Sequence, residues 1–203
     1  MANADRPAGL VPIGFLHGAP WSGKGRVYCI PNTDDTNAFA VGDPVVLDGG
    51  ATTAGIPTIT LATGGTGNQV LGAIISGAGA SKYGASYGIP AESPVVIPAV
   101  KTRDYFVLVA DDPSTIFEIQ EDSDGGSVAA ASIGLNVNLI SGTNNGYVSG
   151  WELDSSSVAA GATLQLKIMR LRQMPGELNA LGTNAKFEVM INNHVFRVGQ
   201  TGL

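Results

Sequence analysis

Short apolar segments separated by turn residues recur from residue 26 almost to the C-terminus, and this spacing limits the folds open to the chain. Helical periodicity over eleven or more residues is absent apart from a weak candidate at Met174–Leu181, whereas many segments alternate with a period of two. Glycine supplies 28 of the 203 residues, about twice its usual share. Such a composition suits short strands joined by turns. The sequence therefore predicts an all-β fold.

Two segments give the clearest strand predictions. Asp104–Ala110 is apolar on both faces, which predicts a central strand covered from both sides. Thr115–Gln120 follows the turn residues Asp111–Pro113, so we expect the two strands to form a hairpin. In Ala162–Arg172 the inward phase switches partway along, and a β-bulge near Ile168 and Met169 would produce that switch.

Residues 1–25 differ from the rest of the chain. Repeated proline and glycine disfavour regular helix and most strand pairing, so we predict an extended N-terminal arm over 1–25 and a β-rich body over 26–203. Exposure of the arm's apolar side chains to water would be unfavourable. They require a groove, either on the chain's own body or on another subunit. We expect the second, with Leu10, Ile13, Phe15 and Trp21 as candidate interface residues.

The Gly-rich stretch 49–91 has two possible interpretations. It is either a long mobile loop or a loop that becomes ordered against a neighbouring subunit. Tyr83 and Tyr87 favour the second reading because exposed tyrosines often anchor interfaces, and we include both as candidate interface residues.

Charge, cysteine and hydropathy exclude several classes of protein. The formal net charge of -6 argues against nucleic acid or an anionic membrane as the main partner. We see no signal peptide and no apolar stretch of membrane-spanning length, and we expect a soluble protein. The single Cys29 cannot form an internal disulfide, which favours synthesis in a reducing compartment, and its place in a strand predicts a buried thiol.

The motifs give no support for catalysis. Gly18–Gly25 approaches a P-loop, but Gly25 stands where the Mg²⁺-binding hydroxyl belongs and a strand follows instead of a helix. His17, His194 and Cys29 are scattered and lack the spacing of a zinc site or a nucleophile motif. We therefore predict no enzymatic activity, no catalytic or metal-ligating residues and no cofactor.

Two charged groups leave alternatives open. The acidic stretch Glu121–Gly126 is best explained as a solvated hairpin tip, with a calcium site or a docking surface for basic residues as alternatives, although the EF-hand spacing is missing. The basic group Lys167, Arg170 and Arg172 is either a solvated strand edge or a patch that meets acidic groups on a neighbour.

Several stretches together resemble structural proteins of tailed-phage heads, and most of all the capsid decoration, or cement, proteins on the outside of the shell. They are Met1–Pro7, His17–Trp21, Gly42–Val45, Val109–Glu121 and Asn179–His194. The resemblance spans most of the chain. It implies a β-barrel or β-sandwich body, usually trimeric, with an arm that reaches across capsomers.

The resemblance also implies a function. The chain would be a structural virion protein, made in the host cytoplasm and bound to the capsid exterior, where it stabilises the head by bridging capsomers. Its partners would be the major capsid protein and two copies of itself, with no nucleic acid and no membrane. A phage tail or fibre module that binds host glycan through aromatic faces is the alternative, with Trp21, Trp151, Tyr83 and Tyr147 as candidates, and a hydrolase is a weaker one.

Overall fold

Strands dominate the computed structural model, which describes residues 3–77, 96–124, 126–145, 147–173 and 178–197. In these parts of the chain the only helix is the 3₁₀ turn Ala130–Ser132, so the predicted all-β fold is confirmed. The strands are β1 Val11–Phe15, β2 Arg26–Ile30, β3 Pro44–Ala51, β4 Pro57–Leu61, β5 Gly72–Gly77, β6 Tyr105–Ala110, β7 Thr115–Gln120, β8 Asn136–Ile140, β9 Glu152–Ala159, β10 Leu166–Leu171 and β11 Lys186–Ile191.

Five strands close into a barrel in the order β2-β4-β3-β5-β6. Side chains alternate along β6, so the two faces of this strand pack in different cores. Val107 and Val109 point into the barrel, while Phe106 packs outside it with Cys29 and Ile56. The predicted strand covered on both sides is therefore confirmed. Cys29 is fully buried, as predicted, and this burial raises the pKa of its thiol to about 12.

The other six strands form an antiparallel sheet in the order β1-β7-β11-β10-β8-β9. Its inner face, which includes Phe117 and Phe187, packs in one core with Ala73 and Ala110 from the barrel strands. The pairing of β10 with β11 shifts register between Ile168 and Arg170, which confirms the predicted bulge.

The predicted hairpin of Asp104–Ala110 with Thr115–Gln120 is wrong. β6 pairs with β2 and β5 in the barrel, whereas β7 pairs with β1 and β11 in the sheet. Both edges of β6 are therefore occupied, and the turn after it carries the chain from one sheet to the other. Buried Asp111 holds this crossover to the barrel by accepting hydrogen bonds from Tyr28 Oη at 2.6 Å and Arg26 Nη1 at 3.0 Å.

The prediction that residues 1–25 form an arm apart from the β-rich body is wrong for part of this segment. Val11–Phe15 pairs with β7, and the register shifts between Pro12 and Gly14. Proline is tolerated here because β1 lies at the edge of the sheet, where a bulge absorbs the irregularity. The Gln120 side chain holds the residues before β1 in place. It accepts a hydrogen bond from Arg6 N at 2.8 Å and donates one to Ala4 O at 2.8 Å.

Leu10 lies inside the core, with 1% of its surface exposed. Its N–H donates to Gly42 O at 2.9 Å, where two chain segments cross closely. A Cβ on Gly42, whose φ is 94°, would lie 2.0 Å from Ala8 O, so the crossing requires glycine. The prediction of Leu10 as an interface residue is therefore corrected, because the chain's own body already covers it.

Burial of Leu10 predicts that residues 3–25 contribute to stability. We expect Leu10→Ala to lower the free energy of unfolding by about 2–5 kcal/mol, since it opens a cavity in the core. Leu16→Ala is the matched control, because Leu16 is 58% exposed and its truncation should change stability by only about 0.5 kcal/mol. Urea unfolding followed by circular dichroism measures both. Equal midpoints for the two variants would contradict the packing described here.

Candidate functional site

Residues 11–21 fold back on themselves, and we call them the N-terminal hairpin. Phe15 N donates to Ala19 O at 2.9 Å and Trp21 N donates to Ile13 O at 3.3 Å, so the returning segment covers the free edge of β1. An uncovered edge strand would expose a row of unpaired backbone groups. The hairpin thus closes this side of the sheet and carries a turn out into solvent.

The hairpin concentrates aromatic and apolar side chains at its outer end. Phe15 stacks on His17, with ring centroids 5.3 Å apart, and lies 5.5 Å from the Trp21 ring at a tilt of 42°. Trp21 is partly buried and packs against the core shared by the sheet and barrel. Leu16, at the tip, is 58% exposed. Ile13 and Phe15 are partly buried, and Tyr83 and Tyr87 lie outside the described residues.

A groove of about 440 Å³ lies beside the hairpin. One wall comes from the hairpin, including Phe15, Leu16 and Pro20, and the other from β10 and its neighbours, including Met169 and Arg170. The groove therefore combines apolar surface with a cation at its rim, since the Arg170 side chain is 71% exposed.

Arg170 of β10 and Arg172, just after this strand, form ion pairs within their own chain, whereas Lys167 donates to Gly134 O at 3.1 Å. Arg170 Nε lies 2.6 Å from Glu188 Oε2, and Arg172 bridges Glu118 and Glu188 at 3.1 Å each. Lys186 extends the network to Glu118 at 3.5 Å. The Glu188 carboxylate is only 4% exposed, so its pairing with both arginines offsets the cost of burying its charge. The network also fixes the direction in which the guanidinium groups face the groove.

A second charged group lies where the chain leaves β7. Carboxylate oxygens of Asp122, Asp124 and Asp154 all lie within 4.8 Å of one another, and we call these residues the acidic cluster. Asp122 N donates to Leu153 O at 3.1 Å, which brings the loop after β7 against β9. Sequence reasoning found the first two residues but missed Asp154, because only the tertiary fold joins segments about thirty positions apart.

Negative charge accumulates around the acidic cluster. Partial burial, followed by the charges of Asp5, Asp122 and nearby acids, raises the pKa of Glu152 to about 7. The neighbouring carboxylate of Asp122 likewise raises the pKa of exposed Asp124. The ion pairs that form among the described residues engage other acids: Asp34, Asp111, Glu118 and Glu188.

His194 is fully buried at a bridge between the end of the chain and Val70. Its Nδ1 accepts a hydrogen bond from Phe196 N at 3.0 Å, while Nε2 has no hydrogen-bond partner among the described residues. Desolvation lowers the pKa of this imidazole to about 4, against the smaller opposing effects of Asp111 and Asp112. Sequence reasoning treated His194 as scattered and did not foresee its burial.

Comparisons of the chain with protein-family models, curated proteins and solved structures found no match. Among the described residues, no helix is long and apolar enough to cross a bilayer.

Buried His194 predicts loss of stability in acid. Its pKa is about 4 in the fold and about 6.5 in the unfolded chain, so only the unfolded chain binds the proton between these values. The contribution of neutral His194 to the free energy of unfolding is therefore complete above about pH 6.5. It falls as the pH is lowered towards 4, by up to about 1.4 kcal/mol per pH unit. The charged groups that also act on its pKa are Asp111 and Asp112, which raise it, and Arg197, which lowers it.

Urea unfolding from about pH 7 to pH 4.5 tests the predicted loss of stability in acid. It is measured for the wild type and for His194→Asn, a variant that keeps an acceptor for Phe196 N. We expect the wild type to lose more stability than the variant over that window. Parallel pH curves for the two proteins would show that His194 does not cause the loss.

Proposed function

We propose that the chain is a structural protein of a phage virion, a decoration protein that binds the outside of the head through its N-terminal hairpin and the adjoining groove. The observation that carries the proposal is the exposed Leu16 at the tip of the hairpin, beside a groove with an exposed arginine at its rim. The all-β body and the sequence resemblance to head decoration proteins support the same function.

The structure changes how we expect the docking to work. Residues 3–10 are held by Gln120 and by the crossing at Gly42, so they cannot reach across capsomers as a free arm. The hairpin, in contrast, projects from the edge of the sheet on a rigid support. We therefore propose that a preformed hairpin, with Leu16 and the Phe15–His17 stack, contacts the major capsid protein. A rigid contact loses less conformational entropy on binding than a flexible arm.

We propose that the chain acts as a homotrimer on the head. One hairpin offers little apolar surface, but three linked hairpins bind as a set and gain about 10²–10⁴ in avidity over one. Bridging capsomers in this way would resist the outward pressure of packaged DNA without contact to the DNA. Stoichiometry on the particle, measured by cryo-electron microscopy, tests this state, and single copies or two-fold dimers would contradict it.

Binding of host glycan by a tail or fibre module is the second candidate. Tyr147 is 75% exposed and could stack on a sugar ring, whereas Trp151 is 6% exposed and packs in the core. Trp21 also packs partly against the core. Among the three described candidates, the exposed aromatic surface is therefore smaller than the sequence predicted, and Tyr83 lies outside the described residues.

A charge placed at the hairpin tip tests the proposed docking. We expect Leu16→Asp to weaken binding to undecorated heads at least about tenfold, because it puts a carboxylate into an apolar contact. Leu178→Asp is the matched control, since Leu178 is 72% exposed and lies outside the hairpin. Cosedimentation with heads measures both variants, and circular dichroism checks their folding.

Equal binding of the two variants would contradict docking through the hairpin. Binding of the wild-type protein to host cells but not to heads, with loss in Tyr147→Ala, would favour the glycan-binding candidate instead.

A further inference from the structure

We propose that Asp122, Asp124 and Asp154 bind one calcium ion at the point where the loop after β7 meets β9. This site goes beyond the proposed docking function, because none of its residues belongs to the N-terminal hairpin or the groove. It develops one alternative that the sequence left open for the stretch 121–126, and it adds a ligand from a distant strand.

The spacing of the three carboxylates fits one ion. Calcium binds oxygen at about 2.4 Å, so two oxygens on opposite sides of one ion lie at most about 4.8 Å apart. The three carboxylate oxygens of the acidic cluster all lie within 4.8 Å of one another. Small rotations of the three side chains can therefore bring these oxygens to a single ion, and water can complete the coordination shell.

Buried oxygens without partners provide an independent reason to expect a cation. Asp122 Oδ2 is buried and has no hydrogen-bond partner among the described residues. Glu121 is 0% exposed, and its Oε2 is also unpartnered there. Its Oε1 accepts from Ser123 N at 3.2 Å, which turns this carboxylate towards the loop that carries Asp122 and Asp124. Buried carboxylate oxygens are costly unless a donor or a metal satisfies them.

Serine donors hold the ligands in position. Asp122 Oδ1 accepts from Ser155 Oγ at 2.7 Å and from Ser155 N at 3.1 Å, while Asp154 Oδ1 accepts from Ser156 Oγ at 2.6 Å. Ser155 Oγ also lies 3.2 Å from Gly126 O, so a backbone carbonyl stands close to the cluster. These hydrogen bonds orient the carboxylates before an ion binds, which lowers the entropic cost of binding.

The donor set selects a hard cation. All three ligands are carboxylates, without histidine or cysteine in the cluster, which disfavours zinc. Magnesium requires a near-ideal octahedron at about 2.1 Å, whereas calcium accepts irregular oxygen sites. Glu121 and Glu152 add negative charge nearby without being assigned as ligands. A bound ion would neutralise this charge and fasten the loop after β7 to β9.

Thermal unfolding of the full chain, freed of metal with a chelator and titrated with CaCl₂ to about 10 mM, tests the site. We expect the melting temperature to rise by about 5 °C or more once calcium exceeds its Kd about 100-fold. Asp124→Asn should abolish most of this rise, and because Asp124 is exposed the variant should still fold. Without calcium, the variant should melt at or above the wild-type temperature, since it removes repulsion from Asp122.

Asp35→Asn is the matched control, an exposed aspartate outside the cluster, and it should keep the full calcium response. MgCl₂ at the same concentration controls for general screening of the acidic surface. An equal rise in wild type and Asp124→Asn, or an equal rise with magnesium, would overturn the calcium site. So would the absence of any rise. Binding of Asp124→Asn to heads is measured separately, so a failure of the calcium site can be told apart from a failure of the docking proposal.

Discussion

Close packing of the six-stranded sheet against the outer wall of the barrel is the constraint on which the rest of the structure depends. On the barrel side the contact uses small residues, Ala73 and Ala110. On the sheet side Phe117 and Phe187 fill the space. This core also encloses Leu10, so the N-terminal segment belongs to the same packed unit. Burial of this kind is the main favourable term in folding.

That packing decides which surfaces remain for function. Residues 3–10 are fixed to the body, and the hairpin tip, where Leu16 is 58% exposed, is the surface that we propose for docking. At the opposite end of β7, the same arrangement brings the loop with Asp122 against β9 and its Asp154. Both proposed sites are thus assembled from segments distant in sequence.

The sequence predicted what depends on local periodicity and failed where tertiary contacts decide. The two-sided burial of Asp104–Ala110 and the bulge near Ile168 are confirmed, because each is visible as a phase of apolar residues. The density of proline and glycine before residue 25 suggested a free arm, yet an edge strand with a bulge tolerates both. The burial of His194 and the approach of Asp154 to Asp122 have no local sequence signal.

Hydrogen exchange of backbone amides, compared between the free protein and protein bound to heads, tests the central claim that the N-terminal segment is body and only its hairpin tip is a docking surface. The account predicts that Leu10 N–H in the free protein is as protected as core amides such as Val189 N–H, because it opens only with global unfolding. On head binding, amides around Leu16 should gain protection. Rapid exchange of Leu10 N–H in the free protein, with protection acquired only on the head, would contradict it.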